Sequence, residues 1–362
     1  MKSGRIMHLF LLLLLLAAGA GCGYVWFYIE NQVQPILVPL NQAYEGYSHL
    51  PKKVPGLRME PFTFKGWDGG LVQAVIASKE GEESSRQLTV MSDLSARPAE
   101  QLHVIDYVLV CVDWDHGVRS ALPLAETLTA AGLRCVLWEP RGQNNRRPYC
   151  THGLKESLDV PLLIDELTRR HHSEQAPVVV AVGQGYGAGL LLHAAAHDAR
   201  IQGVASIDAY ASLRQSVQRT MPHSIFTPLV MEMMNLRMER TVGMECFDVA
   251  PVEQASYINR NVPVLVMNLV QDNPICNLAD ALTIYRRLRS DNRAVWSMYN
   301  ESALPRLTPP LRKLLPDVCR LQDEESAMIA MVRWLDGPVA AAVQAPRITD
   351  PARPVPAPDL DL

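Results

Sequence analysis

The period of the apolar positions changes repeatedly along this chain, and each change marks an element. Residues 59–65 alternate, Trp67-Asp68-Gly69-Gly70 interrupts them, and residues 71–77 carry on. A strand, an Asp-Gly turn and a second strand make a hairpin. Residues 107–112 are an unbroken apolar run, the pattern of a parallel strand buried on both faces. Helical spacing over 122–131 ends at Gly132, a C-terminal stop signal. Then come a strand at 134–138, an amphipathic helix at 156–167, a strand at 177–182, a helix at 188–196 and a strand at 203–207. After a break the rhythm resumes with a strand at 263–269, a helix at 278–288, a strand at 294–299 and a helix at 324–335. Alternating strands and helices predict an α/β fold, with a mostly parallel central sheet covered by helices on both faces.

The break, about 209–261, holds Met221, Met231, Met233, Met234, Met238 and Met244. It is expected to form a short helical, Met-rich cap, since methionine packs adaptably. Residues 79–103 are polar and mixed, a surface excursion. Residues 30–55 contain Pro35, Pro39, Pro51 and Pro55 and are expected to be an extended linker. The tail, 337–362, is rich in Pro and Ala without an apolar period, as in disordered segments. The folded domain therefore runs over 56–336.

Lys2 and Arg5 precede an uncharged stretch from Ile6 to Ile29, and Glu30 follows it. About 24 residues of helix span roughly 36 Å, against a hydrocarbon core of about 30 Å. Tyr24, Trp26, Phe27 and Tyr28 cluster at its far end, as at a membrane interface. Residues 1–29 are thus expected to be a membrane anchor with the main domain outside the cytoplasm, on the periplasmic or extracellular face. Two alternatives stay open. One is a cleaved signal peptide. The other is a lipoprotein cut before Cys22, which makes Cys22 a lipidation candidate.

The net charge is −4 with no basic excess, which leaves no case for a nucleic-acid partner. Seven cysteines show no C-x-x-C pair and no zinc spacing, so neither metal nor cofactor is expected. Cys111 and Cys135 lie in β-like apolar runs and are expected to be buried thiols.

The stretch around which the chain is organised is the apolar run at 178–182, which stops at Gly183-Gln184-Gly185-Tyr186-Gly187 and is followed at once by a small-residue helix. Strand, sharp turn and helix make a nucleophile elbow, G-x-S-x-G. The flanking glycines are present, and the middle position is Gly185.

These segments together resemble the α/β-hydrolase superfamily, in its membrane-anchored serine esterase and aminopeptidase-like branch. The resemblance rests on Trp67-Asp68-Gly69, Leu122-Pro-Leu-Ala-Glu, Glu139-Pro-Arg-Gly142, Thr151-His-Gly-Leu-Lys-Glu156 with Asp159, the elbow, Ala250-Pro251 before Val262-Pro263, and Gln271-Asp272. It implies Ser, then Asp or Glu, then His in chain order, with an oxyanion hole. The nucleophile position is Gly185, and Asp272 falls at the acid position. The base would fall near 299–305, yet the last histidine of the chain is His223. The oxyanion positions are Val112 and Asp113, with His116-Gly117 displaced by four residues. Without nucleophile and base no proton can be taken or returned.

The leading expectation is a catalytically inactive, membrane-tethered hydrolase-like protein that binds a small molecule or a protein. Candidate pocket residues are Asp113, Trp114, Gln184, Gly185, Tyr186, Asp208 and Asp272; converging carboxylates would suit a cationic or polyol ligand. The alternatives are an active hydrolase with a displaced site built from Ser206, Asp208, His152 and His223, and an envelope scaffold.

Overall fold

The structure is a computed structural model of the 362-residue chain. It describes residues 53–81, 105–112, 118–140, 149–222, 224–243, 248–270, 273–291, 293–298 and 307–320, with residues 23, 26–33, 36, 327, 331 and 334.

Nine strands form one sheet: β1 (Leu57–Lys65), β2 (Leu71–Lys79), β3 (Tyr107–Cys111), β4 (Cys135–Trp138), β5 (Val179–Gln184), β6 (Ile201–Ile207), β7 (Val264–Asn268), β8 (Arg293–Ser297) and β9 (Val318–Arg320). The helices are α1 (Leu122–Ala130), α2 (Asp159–Arg170), α3 (Tyr186–His197), α4 (Leu213–Thr220), α5 (Thr227–Val242), α6 (Pro251–Ala255), α7 (Leu278–Arg287) and α8 (Pro309–Arg312). The strand order is β1-β2-β4-β3-β5-β6-β7-β8-β9. β2 runs antiparallel to both β1 and β4, and all later pairs are parallel. Pro61 is accommodated because β1 is an edge strand, where a missing N–H costs no ladder bond.

The central strands are apolar on both faces because both faces are covered. On one face Leu109, Ala181, Val204 and Val266 pack with Leu163, Ile164 and Leu167 of α2, the leucines of α3, and Leu282 and Ile284 of α7. On the other, Val110, Val182, Ala205 and Leu265 pack with Leu124 and Leu128 of α1 and with Ala327, Met331 and Trp334. Those last three residues are helical and buried, in keeping with the helix expected at 324–335.

The strand order turns around between β3 and β5: β4 lies on one side of β3 and β5 on the other. At such a switch point the loops leaving the strand carboxyl ends diverge and leave a crevice. The turn after β5 sits there.

A third apolar cluster lies in the cap. Met221, Met231, Met234 and Met238 pack with Tyr210, Leu213 and Val249, and also with Ile29 and Val33. The cap is tied to the body by Arg219 of α4, which bonds the carbonyls of Pro274 and Ile275 and pairs with Asp280 of α7 at 2.5 Å. Burial raises the Asp280 carboxyl above its usual range, and Arg219 opposes that shift.

Several limits differ from the sequence reading. The lead-in from Glu30 was expected to be extended, yet residues 30–33 are helical. Packing is the reason: Ile29 and Val33 are each 1% exposed against the methionine cluster, and Glu30 pairs with Arg237 at 2.8 Å. The apolar span 6–29, the excursion 79–103 and the tail 337–362 lie wholly or mostly outside the described residues. Among the described residues no helix is long and apolar enough to cross a membrane. The helix expected at 156–167 begins as a 3-10 turn over Glu156–Leu158 and runs on to Arg170. Strand β9 and helix α8 had no counterpart in the pattern; at three and four residues they are too short to show a period.

Candidate functional site

The elbow forms as expected. β5 ends at Gln184, α3 begins at Tyr186, and Gly185 between them has φ 56° and ψ −119°. A side chain in that region of backbone space costs on the order of 1–3 kcal/mol; glycine adopts it freely. The Gly185 N–H donates to the Ile207 carbonyl at 2.8 Å, which fixes the turn against the end of β6.

The flanking glycines answer a different demand, one of space. A Cβ on Gly187 would lie 2.2 Å from the Cys111 carbonyl oxygen and 2.7 Å from the Val112 nitrogen. On Gly183 it would lie 2.6 Å from the Ala188 Cα and nitrogen. Helix α3 therefore approaches β3 and β5 so closely that neither position can carry a methyl.

The site residues expected from sequence separate in the structure. Gln184 is half-buried at the end of β5. Tyr186 does not line an open pocket. It is 2% exposed within the core cluster, and burial pushes its hydroxyl pKa well above the usual value. The helix turns this side chain inward, where its ring meets His152 edge-on at 6.0 Å between centroids.

Asp208 is also a correction. It is 3% exposed and follows β6 at φ 50°. Its Oδ1 accepts bonds from the Leu269 N–H at 2.7 Å, the Asn268 amide at 3.0 Å and the Val270 N–H at 3.2 Å. Asn268 in turn accepts from the Ser297 hydroxyl at 3.2 Å. A buried chain of polar groups thus joins the carboxyl ends of β6, β7 and β8. Asp208 fastens strand ends together instead of facing a ligand. Asp113, Trp114, Asp272, Cys22, His116-Gly117 and the segment 299–305 lie outside the described residues.

Among the described residues, those of the displaced site are engaged elsewhere. Ser206 has no exposed surface, and its hydroxyl has no hydrogen-bond partner among the described residues. It pairs with Gly183 and Val266 in the middle of the sheet, where a substrate cannot reach. His152 is 4% exposed; its Nε2 donates to the Ile36 carbonyl at 2.8 Å. Burial lowers its pKa to about 4. His223 lies outside the described residues.

The segment 151–156 proves structural. Glu156 has no exposed surface. Its carboxylate accepts from the Thr151 N–H at 2.6 Å, the Thr151 hydroxyl at 2.5 Å and the Gly153 N–H at 2.9 Å. Burial nevertheless raises its pKa. These bonds hold His152 at φ 52° and Gly153 at φ 102°. Asp159 accepts from the Trp67 N–H at 3.0 Å, tying the hairpin turn to α2. Asn268 and Ser297 were missed. Their only signal was a polar residue at the end of an apolar strand run.

Cys111 and Cys135 are buried free thiols, as expected, and burial raises the Cys135 pKa. A cavity of about 350 Å³ is lined by Thr63, Phe64, Lys65, Leu71, Leu162, Asp165, Glu166 and Arg169. It lies between the hairpin and α2, away from the elbow.

The fold as a whole is similar to those of solved enzymes. The chain is similar in fold to the esterase Pf2001 of Pyrococcus furiosus, with TM-score 0.51 and 12% identity over 80% of this chain and 96% of that one. It is also similar to brefeldin A esterase, a bacterial homologue of human hormone-sensitive lipase. There the TM-score is 0.52 and the identity 15%, covering 87% of this chain and 86% of that one. No protein-family model and no curated protein matches the sequence. The protein has the α/β-hydrolase fold, with a nine-stranded, mostly parallel sheet.

Proposed function

We propose that this protein is a membrane-tethered α/β-hydrolase-fold protein that binds a ligand or partner at the elbow end of the sheet and does not hydrolyse it. The observation that carries the reading is Gly185. The backbone at the nucleophile position has the elbow conformation, but that position offers no atom to attack with. The chain also has no histidine after His223, so the fold's usual base is missing from the segment that would supply it. The burial of Ser206 and the engagement of His152 weigh against a relocated site. The tether is supported by the uncharged stretch 6–29 behind Lys2 and Arg5.

Fluorophosphonate labelling of the full chain in detergent, with mass-spectrometric site mapping, tests the catalytic half of the proposal. The expected result is no labelled serine beside a labelled esterase control. A labelled serine at any position overturns it. Full-length chain is the right material, because Ile29 and Val33 are part of the packed cap.

A further inference from the structure

Helix α5 is apolar on two opposite sides. Met231, Met234 and Met238 face inward and are buried. At about 100° per residue, Leu229 and Leu236 fall on the reverse side, in line with Ile225 and Phe226 just ahead of the helix. Ile225 is 89% exposed, Phe226 63%, Leu229 59% and Leu236 51%. Single exposed apolar side chains are ordinary, but a row of them on one helix marks an interaction surface.

The same cap carries two more exposed aromatics. Trp26 and Phe27 are half or more exposed. They lie one turn from Ile29 and Glu30, which hold their helix on α5 through the methionine cluster and the Glu30–Arg237 pair. Residues 6–25, with no Asp, Glu, Lys or Arg, lead directly into Trp26. Arg240, exposed one turn beyond Leu236 on the outer side, adds a cation at the stripe's end. Apolar side chains bordered by aromatics and an arginine match the layering of a lipid interface.

The geometry points to the outer face of the cap, formed by Ile225, Phe226, Leu229 and Leu236 with Trp26 and Phe27, as a bilayer-docking surface. The occupant is the interfacial layer of a membrane, and the recognition is apolar insertion. This inference rests on the tether proposed above. It adds an orientation: the domain lies cap-down on the membrane. The elbow end of the sheet is connected to that cap through Tyr186, His152 and Tyr210, whose hydroxyl donates to the His152 carbonyl at 3.2 Å.

Photo-crosslinking tests it. A benzophenone amino acid replaces Leu229 or, separately, Leu236 in the full chain reconstituted with phosphatidylcholine vesicles. A third sample carries it at Glu174, an exposed position after α2. After irradiation, mass spectrometry reads the adducts. Lipid adducts at 229 and 236 at least tenfold above those at 174 are expected. Crosslinks to residues 6–22, crosslinks to a second copy, or no excess of lipid adduct would each overturn the docking surface. Vesicle flotation of the same samples separates the two proposals. A chain that floats without lipid adducts keeps its tether and loses its docking face; a chain that does not float loses both. In the Leu229→Asp/Leu236→Asp variant, flotation should persist while a probe at Phe226 loses at least fivefold of its lipid adduct. Unchanged labelling there also overturns the proposal.

Discussion

Two neighbouring regions at the carboxyl end of the sheet differ in what each retains. Around β5 and α3 the backbone of a nucleophile elbow is intact, including φ 56° at Gly185 and glycines where α3 meets β3 and β5. The backbone geometry is kept, with glycine at its middle position. Across β6, β7 and β8 the reverse holds. Polar side chains remain in Asp208, Asn268 and Ser297, but they are spent on one another and on backbone N–H groups. The elbow is governed by steric fit, so its residues cannot grow. The strand ends are governed by hydrogen-bond satisfaction, so their residues cannot be removed. Neither constraint requires turnover, so the preservation of either says nothing about activity.

The sharpest test of the steric half is Gly187→Ala. Its new methyl would sit 2.2 Å from a backbone oxygen of β3, and no side-chain rotation relieves a clash with backbone. The expected loss is more than about 3 kcal/mol, the upper end for overpacking, measured as a fall in the urea midpoint. Gly56→Ala is the contrast: φ is +77° but nothing lies within 4 Å of the added Cβ. It should cost only about 1 kcal/mol. Equal losses would mean that α3 shifts to relieve the contact, and that close approach does not select glycine at position 187.

Asp208→Ala tests the other half. It strips the acceptor from two backbone N–H groups and the Asn268 amide in a buried setting. A loss of about 3 kcal/mol is expected, and Asp208→Asn should recover part of it by retaining one acceptor oxygen. A loss under about 1 kcal/mol would return Asp208 to the list of ligand-facing residues.

This contrast also explains which parts could be read in the sequence. The sheet was legible because its central strands are buried on both faces, so their apolar runs stand out. The elbow was legible because three glycines in five residues have few other uses. Tyr186 and Asp208 were misread because the sequence places them beside the elbow but not which way they point. Tyr186 turns inward with the first turn of α3, and Asp208 turns toward β7. The helical start at residues 30–33 was hidden by the prolines that follow; its packing in the methionine cluster and the Glu30–Arg237 pair explain it. Asn268 belongs to the same class, since a cross-strand partner leaves no trace in local spacing.

The layer joining the elbow to the cap predicts a pH dependence. Folded His152 stays neutral until about pH 4, while in the unfolded chain it protonates near pH 6.5. Between those values the unfolded state binds the extra proton. Its contribution is therefore complete above pH 6.5 and is lost as the pH falls toward 4. At about 1.4 kcal/mol per pH unit, roughly 2 kcal/mol should be gone by pH 5. Half-buried His193, also lowered to about 4, acts in the same direction. Glu156, with its pKa raised, works against them near its own titration. Urea melts at pH 7 and pH 5 read the sum, and His152→Gln should remove about half of the decline. An unchanged decline would mean that His152 is not sealed beneath Tyr186 and residue 36.

A modest stability change at the elbow carries the most information about function. Gly185→Ser puts a hydroxyl where the fold would use one, at a φ of 56°, so it should cost about 1–3 kcal/mol. It should yield no esterase turnover, because His152, the imidazole beneath Tyr186, is committed to the Ile36 carbonyl, and the segment that would supply the base has no histidine, since none follows His223. Triad members act as a unit, so one restored member recovers little. Adding Ser302→His supplies the second member at the position where the resemblance places the base. Turnover in the double variant alone would show that the elbow remains competent and that the loss was chemical. Turnover in Gly185→Ser alone would reveal a base already present and overturn the non-hydrolytic reading. Silence in both would mean that the elbow and the ends of β6–β8 no longer enclose a substrate-sized crevice, and would move the search for a partner from the elbow to the cap.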